Sequence, residues 1–247
     1  MLKKILLIFF VFCFFDYIYC YSVKLVTVEF PPYSYQEQSK VSGVQVEIVK
    51  KAFEYAEINY SLELLPFARA LFEAEKGEKD FIFNFYKNDD RLKRFEYTDA
   101  VIENPLVFFV KKDSNIKFNG DLTLLSDYKI GTIIGYSYAD DFDYAIIHNL
   151  LKIDETSSHE ANFRKLNTGR IDMYVCDKNV GIYTIKQLKL ENNFKILDTP
   201  LNIQYGYLGI SKDNPKKSII PKINQALKEI KQNINIEDLI QKYINQP

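Results

Sequence analysis

The sequence predicts an α/β fold built on a largely parallel sheet. Three observations carry this. Short β-rich runs alternate with segments of helical apolar spacing, the pattern of strands joined by crossover helices. A local pattern also occurs twice. Glu75-Lys76-Gly77-Glu78-Lys79-Asp80 leads into Phe81-Ile82-Phe83, and Asn167-Thr168-Gly169-Arg170-Ile171-Asp172 leads into Met173-Tyr174-Val175, 92 positions later. Both read as a helix end, a Gly stop, an Asp and a buried strand, as two similar lobes would produce. Finally, no flexible linker interrupts the chain, so any connection between lobes is structured rather than a tether.

The elements follow in order. Lys3 and Lys4 precede Ile5–Phe15, an unbroken apolar run of 11 residues ended by Asp16. That run falls short of the ~20 residues a spanning helix needs. A charged start, short apolar run and polar exit read as a secretory signal peptide over residues 1–22. Cleavage after Ser22 leaves Cys20 at −3 and Ser22 at −1; cleavage after Cys20 and a retained N-terminal anchor are the alternatives. Val23–Val28 reads as a strand that meets the Pro31-Pro32 break. Val44, Ile48, Val49, Ala52, Phe53 and Ala56 have helical spacing. Tyr60–Leu65 reads as a strand, Phe67–Glu75 as a helix stopped by Gly77, and Asp80–Phe85 as a strand. Further on, Lys129–Ile134 is a strand, a helical stretch runs near Tyr138–Leu151, and Asn179–Leu188 is a helix. Gln204–Ser211 is a strand, and helices are expected over Ile219–Ile230 and Glu237–Ile244.

Composition excludes several classes. The 247 residues are 47% hydrophobic and 26% charged, with 32 basic and 33 acidic side chains. This is globular composition without a basic stripe, so nucleic acid is not an expected partner. Signal cleavage removes two basic residues and one acidic residue and leaves a net charge of −2. It also leaves Cys176 as the single cysteine of the mature chain. A disulfide framework and a cysteine-based zinc site are thereby excluded, and no cofactor is implied. HExxH, Walker A and GxSxG motifs are absent, and Gly131-Thr132-Ile133-Ile134-Gly135 lacks the Gly-Lys-Ser/Thr that cradles phosphate. His148 and His159 read as surface or helix polar residues without a nucleophile partner. Aromatics make up 15% of the chain, with 18 Tyr and 19 Phe and no Trp.

Five segments in one order resemble the periplasmic solute-binding proteins of family 3, which serve polar amino-acid ABC transporters. Val26–Tyr33 (VTVEFPPY) is similar to that family's opening strand and Pro-aromatic turn. Gly43–Ile48 (GVQVEI) is similar to its Gly-Phe-Asp-Val-Asp-Leu stretch. Asp89-Asp90-Arg91 with Phe95–Asp99 resembles its Thr-Pro-Glu-Arg…Phe-Ser-Asp-Pro block. Gly169–Asp172 through Asp177 resembles its Gly-Arg-x-Asp…Asp segment, and Tyr205-Gly206 its return crossing.

The resemblance implies a two-lobed periplasmic-binding-protein fold of type II, hinged on two crossing strands near Val101–Phe108 and Asn202–Gly206. Lobe 1 would comprise residues 23–104 and 205–247, and lobe 2 residues 105–204. Ligands in open α/β sheets lie at the carboxyl ends of strands, which places Asn84–Arg91 and Cys176–Asp177 in the cleft. By the resemblance, Arg91 grips a ligand carboxylate through a bidentate guanidinium and Asp177 meets a ligand ammonium. Asp177 also reads as a helix N-cap. Phe30 and Phe67 match the aromatic cleft walls, with Tyr33 beside them.

Ser137, with Gly135 and Tyr136, opens a helix whose free N–H groups suit a carboxylate, or simply caps it. Arg69 is a second anion partner or a helix-surface ion pair. Asn84 and Tyr86 stand where the family has small residues, and Asn88 where it has Thr. Thr27 replaces the acidic partner of the ammonium, and Ala100 replaces a Pro. The function implied is capture of a small polar solute, an amino acid or related carboxylate, by a periplasmic monomer that hands it to an ABC permease. A dehydratase or lyase on the same scaffold and a sensory binding protein for a membrane receptor are the rival readings.

Overall fold

The computed structural model describes residues 22–246, so the signal-peptide reading lies outside the described residues, apart from Ser22. Strand β1 (Val23–Thr27) leads through the Pro31-Pro32 turn into a hairpin of β2 (Tyr35–Glu37) and β3 (Lys40–Ser42). Helix α1 (Val44–Tyr55) starts at Gly43, whose φ is 129°. A Cβ there would stand 2.4 Å from the Tyr33 carbonyl oxygen, so the entry to α1 requires glycine. Val44, Ile48, Val49, Ala52 and Phe53 form its buried stripe, as their spacing predicts. Strand β4 (Tyr60–Leu64), helix α2 (Phe67–Glu75), strand β5 (Phe81–Phe85), helix α3 (Asp89–Arg94) and strand β6 (Phe95–Tyr97) complete the first passage.

The chain crosses on β7 (Ile102–Lys111) and builds a second assembly. It contains β8 (Lys129–Ile133), α4 (Asp140–Ile147), β9 (Lys152–Thr156), α5 (His159–Asn167), β10 (Met173–Asp177), α6 (Lys178–Gln187) and β11 (Phe194–Ile196). It returns on β12 (Asn202–Ser211) and ends with α7 (Ile220–Asn233) and α8 (Ile236–Asn245). Both crossings therefore fall where the resemblance implies them. They pair antiparallel with each other, from Asn202 opposite Leu106 to Gly206 opposite Ile102.

The path of the sheet is β4-β1-β5-β12-β7-β10-β8-β9. Its two ends are alike. In each, a first strand (β1 or β8) lies between an edge strand (β4 or β9) and a third strand (β5 or β10), all parallel. A crossing strand then joins antiparallel. The sheet is thus parallel over the three outer strands at each end and antiparallel at the crossing strands, which β6 and β11 also join antiparallel, a more mixed sheet than the expected one. A chain that runs out on one crossing and back on the other imposes this.

The repeat seen in the sequence extends to single hydrogen bonds. Asp80 accepts from the Lys24 backbone N–H at 2.7 Å, and Asp172 from that of Lys129 at 2.8 Å. Gly77 and Gly169 both take left-handed turns, at φ 75° and 73°. Each Asp ties the start of its lobe's third strand to the start of the first.

Four apolar clusters fill the lobes. Those around Val23, Phe53, Phe81 and Leu227 and around Val26, Phe85 and Phe95 lie in the first. Those around Phe108, Phe142 and Met173 and around Phe109, Phe163 and Tyr174 lie in the second. Val180 on α6 is 1% exposed and joins the cluster of Val23 and Val44, so the second lobe's helix packs into the first lobe's core. Lys186 of α6 also donates to Asn245 of α8 at 2.6 Å.

Candidate functional site

The strand ends of the two lobes converge on a cavity of about 40 Å³, walled by Phe30, Tyr86, Tyr136, Tyr138, His159 and Asp177 among others. That volume holds only a few waters. Tyr86, Ser137, Tyr138 and Gln204 are also walls of an adjoining open groove of about 650 Å³, whose rim carries Lys87, Asn88, Asp89, Asp90, Asp140 and Tyr207.

Asp177 is the centre of the buried part. It is 4% exposed and ends β10 where that strand lies against the crossing, opposite Leu106 of β7. Its carboxylate accepts from the backbone N–H groups of Asn179 (2.8 Å) and Val180 (2.9 Å), capping α6. It also accepts from Asn104 Nδ2 on β7 at 3.0 Å and from the Tyr33 hydroxyl at 2.9 and 3.0 Å. Tyr33 is fully buried in the first lobe's core and in turn accepts from Asn179 Nδ2 at 3.0 Å. The Tyr33–Asp177 bond thus joins the lobes beside the hinge. Every donor to Asp177 is neutral, and no cation pairs with it among the described residues. Burial therefore pushes the carboxyl up from 3.8 to about 6, with the four donors opposing the rise. Burial, followed by the Asp177 charge, holds the hydroxyls of Tyr33 and Tyr86 and the Cys176 thiol well above their ordinary values.

The predicted residues divide into three groups. Phe30, Tyr86, Ser137 and Asp177 wall the cavity, and Asn88 reaches the outer groove. Arg91, Phe67 and Asn84 do not wall either space among the described residues. The Arg91 guanidinium lies 5.1 Å from the Phe67 ring centre and 4.8 Å from that of Phe85, and donates to the Tyr86 carbonyl at 2.9 Å. Burial lowers its pKa from the ordinary arginine value. Phe67 is 41% exposed and serves as one face of this sandwich. Asn84, at φ 57°, turns its amide to Ser34 and Thr27. Asn88 caps α3, accepting from the Arg91 backbone N–H at 2.8 Å.

The loop before α4 differs from its expectation. Asp143 accepts from the Ser137 hydroxyl at 2.6 Å and from the Tyr138 N–H at 3.1 Å, and the Tyr136 N–H bonds to the Ile133 carbonyl. The Tyr136 N–H, one of the three expected to be free, is therefore taken within the loop. Arg69 forms the helix-surface pair, with Glu73 at 2.6 Å.

The sequence reading missed several walls. His159 is not a surface residue. It opens α5 behind the Ser158 cap, meets Tyr174 Oη through Nδ1 at 2.5 Å and faces the cavity, and burial lowers its pKa. The Tyr138 hydroxyl accepts from the Ile133 backbone N–H at 2.7 Å, and the residue lines the cavity. Gln204 arrives on the returning strand and donates to the Tyr138 carbonyl at 3.0 Å. The signal for the last was its position on the crossing; for His159, the Ser158 cap two residues after the edge strand.

Comparison with known proteins agrees with this architecture. Residues 24–246 match the family described as bacterial extracellular solute-binding proteins, family 3. The probable amino-acid-binding protein YxeM of Bacillus subtilis strain 168 is 24% identical over 219 residues, which are 87% of this chain and 80% of that one. The second substrate-binding domain of a putative amino acid ABC transporter from Streptococcus pneumoniae Canada MDR_19A superposes with a TM-score of 0.70 at 21% identity. That superposition covers 90% of this chain and all of that one. An ancestral arginine-binding protein bound to arginine gives 0.68 at 22% identity, covering 90% and 97%. A histidine kinase sensor domain similar to periplasmic binding proteins gives 0.71 at 16%, covering 91% and 96%. At these identities the superpositions speak for the fold alone.

Proposed function

The chain belongs to the bacterial extracellular solute-binding proteins, family 3, and from that premise we propose that it captures a small polar solute between its lobes and delivers it to an ABC import permease. The observation that carries this reading is the shared cavity. Phe30 and Tyr86 come from one lobe, Tyr136, His159 and Asp177 from the other, and Leu106 and Gln204 from the crossings. A solute there touches both lobes only when they close, so it stabilises the closed form by its differential contacts. The facing pairs Asn104–Gln204 and Glu103–Tyr205 on the crossings support lobes of residues 23–104 with 205–247 and of residues 105–204. The amino-acid-binding relative supports an amino acid or a close derivative as the solute. Export to the periplasm fits the family description and the apolar run at Ile5–Phe15.

Thermal-shift titration of the purified protein with amino acids, their amines and small carboxylates tests the proposal. A probe at 100 times its Kd adds about 2.7 kcal/mol, a rise of roughly 5–10 °C for a chain of this size. Silence across all three classes contradicts solute capture.

A further inference from the structure

We propose that the cleft selects a net organic cation and that a carboxylate on the solute is dispensable: the positive nitrogen sits among Phe30, Tyr86, Tyr136 and Tyr138 beside Asp177. This rests on the solute-capture reading and names the charge class it takes.

Three observations converge. First, buried charges in proteins are normally paired. Asp177 is 4% exposed, has only neutral donors, and is the one carboxylate on the cavity wall among the described residues. Its missing counter-charge is supplied if the solute is a cation.

Second, four aromatic rings wall the same small space. Ring faces attract a desolvated cation and offer nothing to an anion. The remaining polar walls add no positive charge. Burial lowers the pKa of His159, against the opposing Glu160 charge.

Third, the approach is acidic. The outer groove carries Asp89, Asp90 and Asp140 and one lysine, Lys87, with Asp90 paired to Arg94 at 2.6 Å. The Lys87 ammonium already lies over the Tyr207 ring at 3.9 Å and the Tyr97 ring at 5.3 Å. Clefts lined by one sign of charge concentrate solutes of the other. The guanidinium that the resemblance assigns to a carboxylate is instead held between Phe67 and Phe85. A carboxylate entering the closed cleft thus meets acidic groups and ring faces, and an amine meets complementary ones.

The test is calorimetric titration with matched pairs: agmatine against arginine, cadaverine against lysine, and choline against glycine betaine. Within each pair the first member lacks the carboxylate. The proposal expects at least one such amine to bind ten-fold or more tightly than its partner. Tyr136→Ala, at a ring that is 50% exposed and outside the core, should weaken that amine by roughly three- to thirty-fold. An amino acid that binds as tightly as its amine overturns the cation selection and leaves solute capture standing. So does binding of glutamate or glutamine when no amine binds. Unchanged amine affinity in Tyr136→Ala overturns the aromatic assignment. Absence of binding by every probe overturns both the selection and the capture reading.

Discussion

Replacing Asp177 by Asn tests the buried carboxylate through its titration. Burial raises the Asp177 pKa from 3.8 to about 6 in the folded chain. A carboxyl whose folded pKa lies above its unfolded value binds protons more readily when folded. Its contribution is therefore most favourable below about pH 4, declines as pH rises through about 6, and is flat above that. Two units correspond to about 3 kcal/mol lost between those limits. Asn is an equally good cap for the Asn179 and Val180 N–H groups. Its amide can also meet Asn104 if that side chain turns over, since Asn104 Oδ1 has no partner now.

The assay is thermal unfolding of wild type and Asp177→Asn in parallel from about pH 4 to about pH 8, read as the difference between them. Other carboxylates cancel in that difference. The variant should gain on wild type as pH rises, by about 6–12 °C in Tm across the range. Parallel profiles would show that Asp177 is not a costly buried charge and would refute the reasoning from its neutral donors.

Two further outcomes follow from the same geometry. Tyr33→Phe removes the hydroxyl that donates to Asp177 and accepts from Asn179. It should cost about 1–3 kcal/mol and move the Asp177 titration still higher, both visible in the same unfolding profiles; an unmoved midpoint contradicts the interlobe bond. Gly181→Ala on α6 would place a Cβ 2.3 Å from the buried Phe109 ring. A Tm lowered by the equivalent of about 1–3 kcal/mol is expected, and an unchanged Tm would mean that α6 lies farther from β7.

Much of the fold was legible because apolar periodicity and turn chemistry agree locally. Helix α1 and strands β1 and β5 stand within two residues of their expected bounds. The Gly77/Gly169 and Asp80/Asp172 echo was visible because both lobes use the same backbone-to-carboxylate tie. The helix expected over Tyr138–Leu151 is only Asp140–Ile147, since Asn149 adopts φ 56° and ends it. Strand β9 went unread. Three of the five residues of its sequence KIDET are charged because it lies at the sheet edge, where Asp154 pairs with Lys129 and Lys165. The hairpin β2–β3 is three residues a side and too short for a periodic signal.

The site was half legible. Tyr86 and Asp177 stand on the cavity wall, where their strand-end positions point; Phe30 is there on the family resemblance and Ser137 on its place before a helix. Sequence cannot show that Phe67 and Phe85 enclose Arg91, or that Tyr33 reaches Asp177 across 144 positions. Those depend on how the two lobes pack.

The central claim is that one solute is held by both lobes at once. A crystal structure of the protein with the strongest thermal-shift probe tests it most directly. The account predicts density in contact with Phe30 and Tyr86 on one side and with Tyr136 and Asp177 on the other. Density confined to one lobe's outer surface, with the cavity walls still in contact with one another, would contradict it.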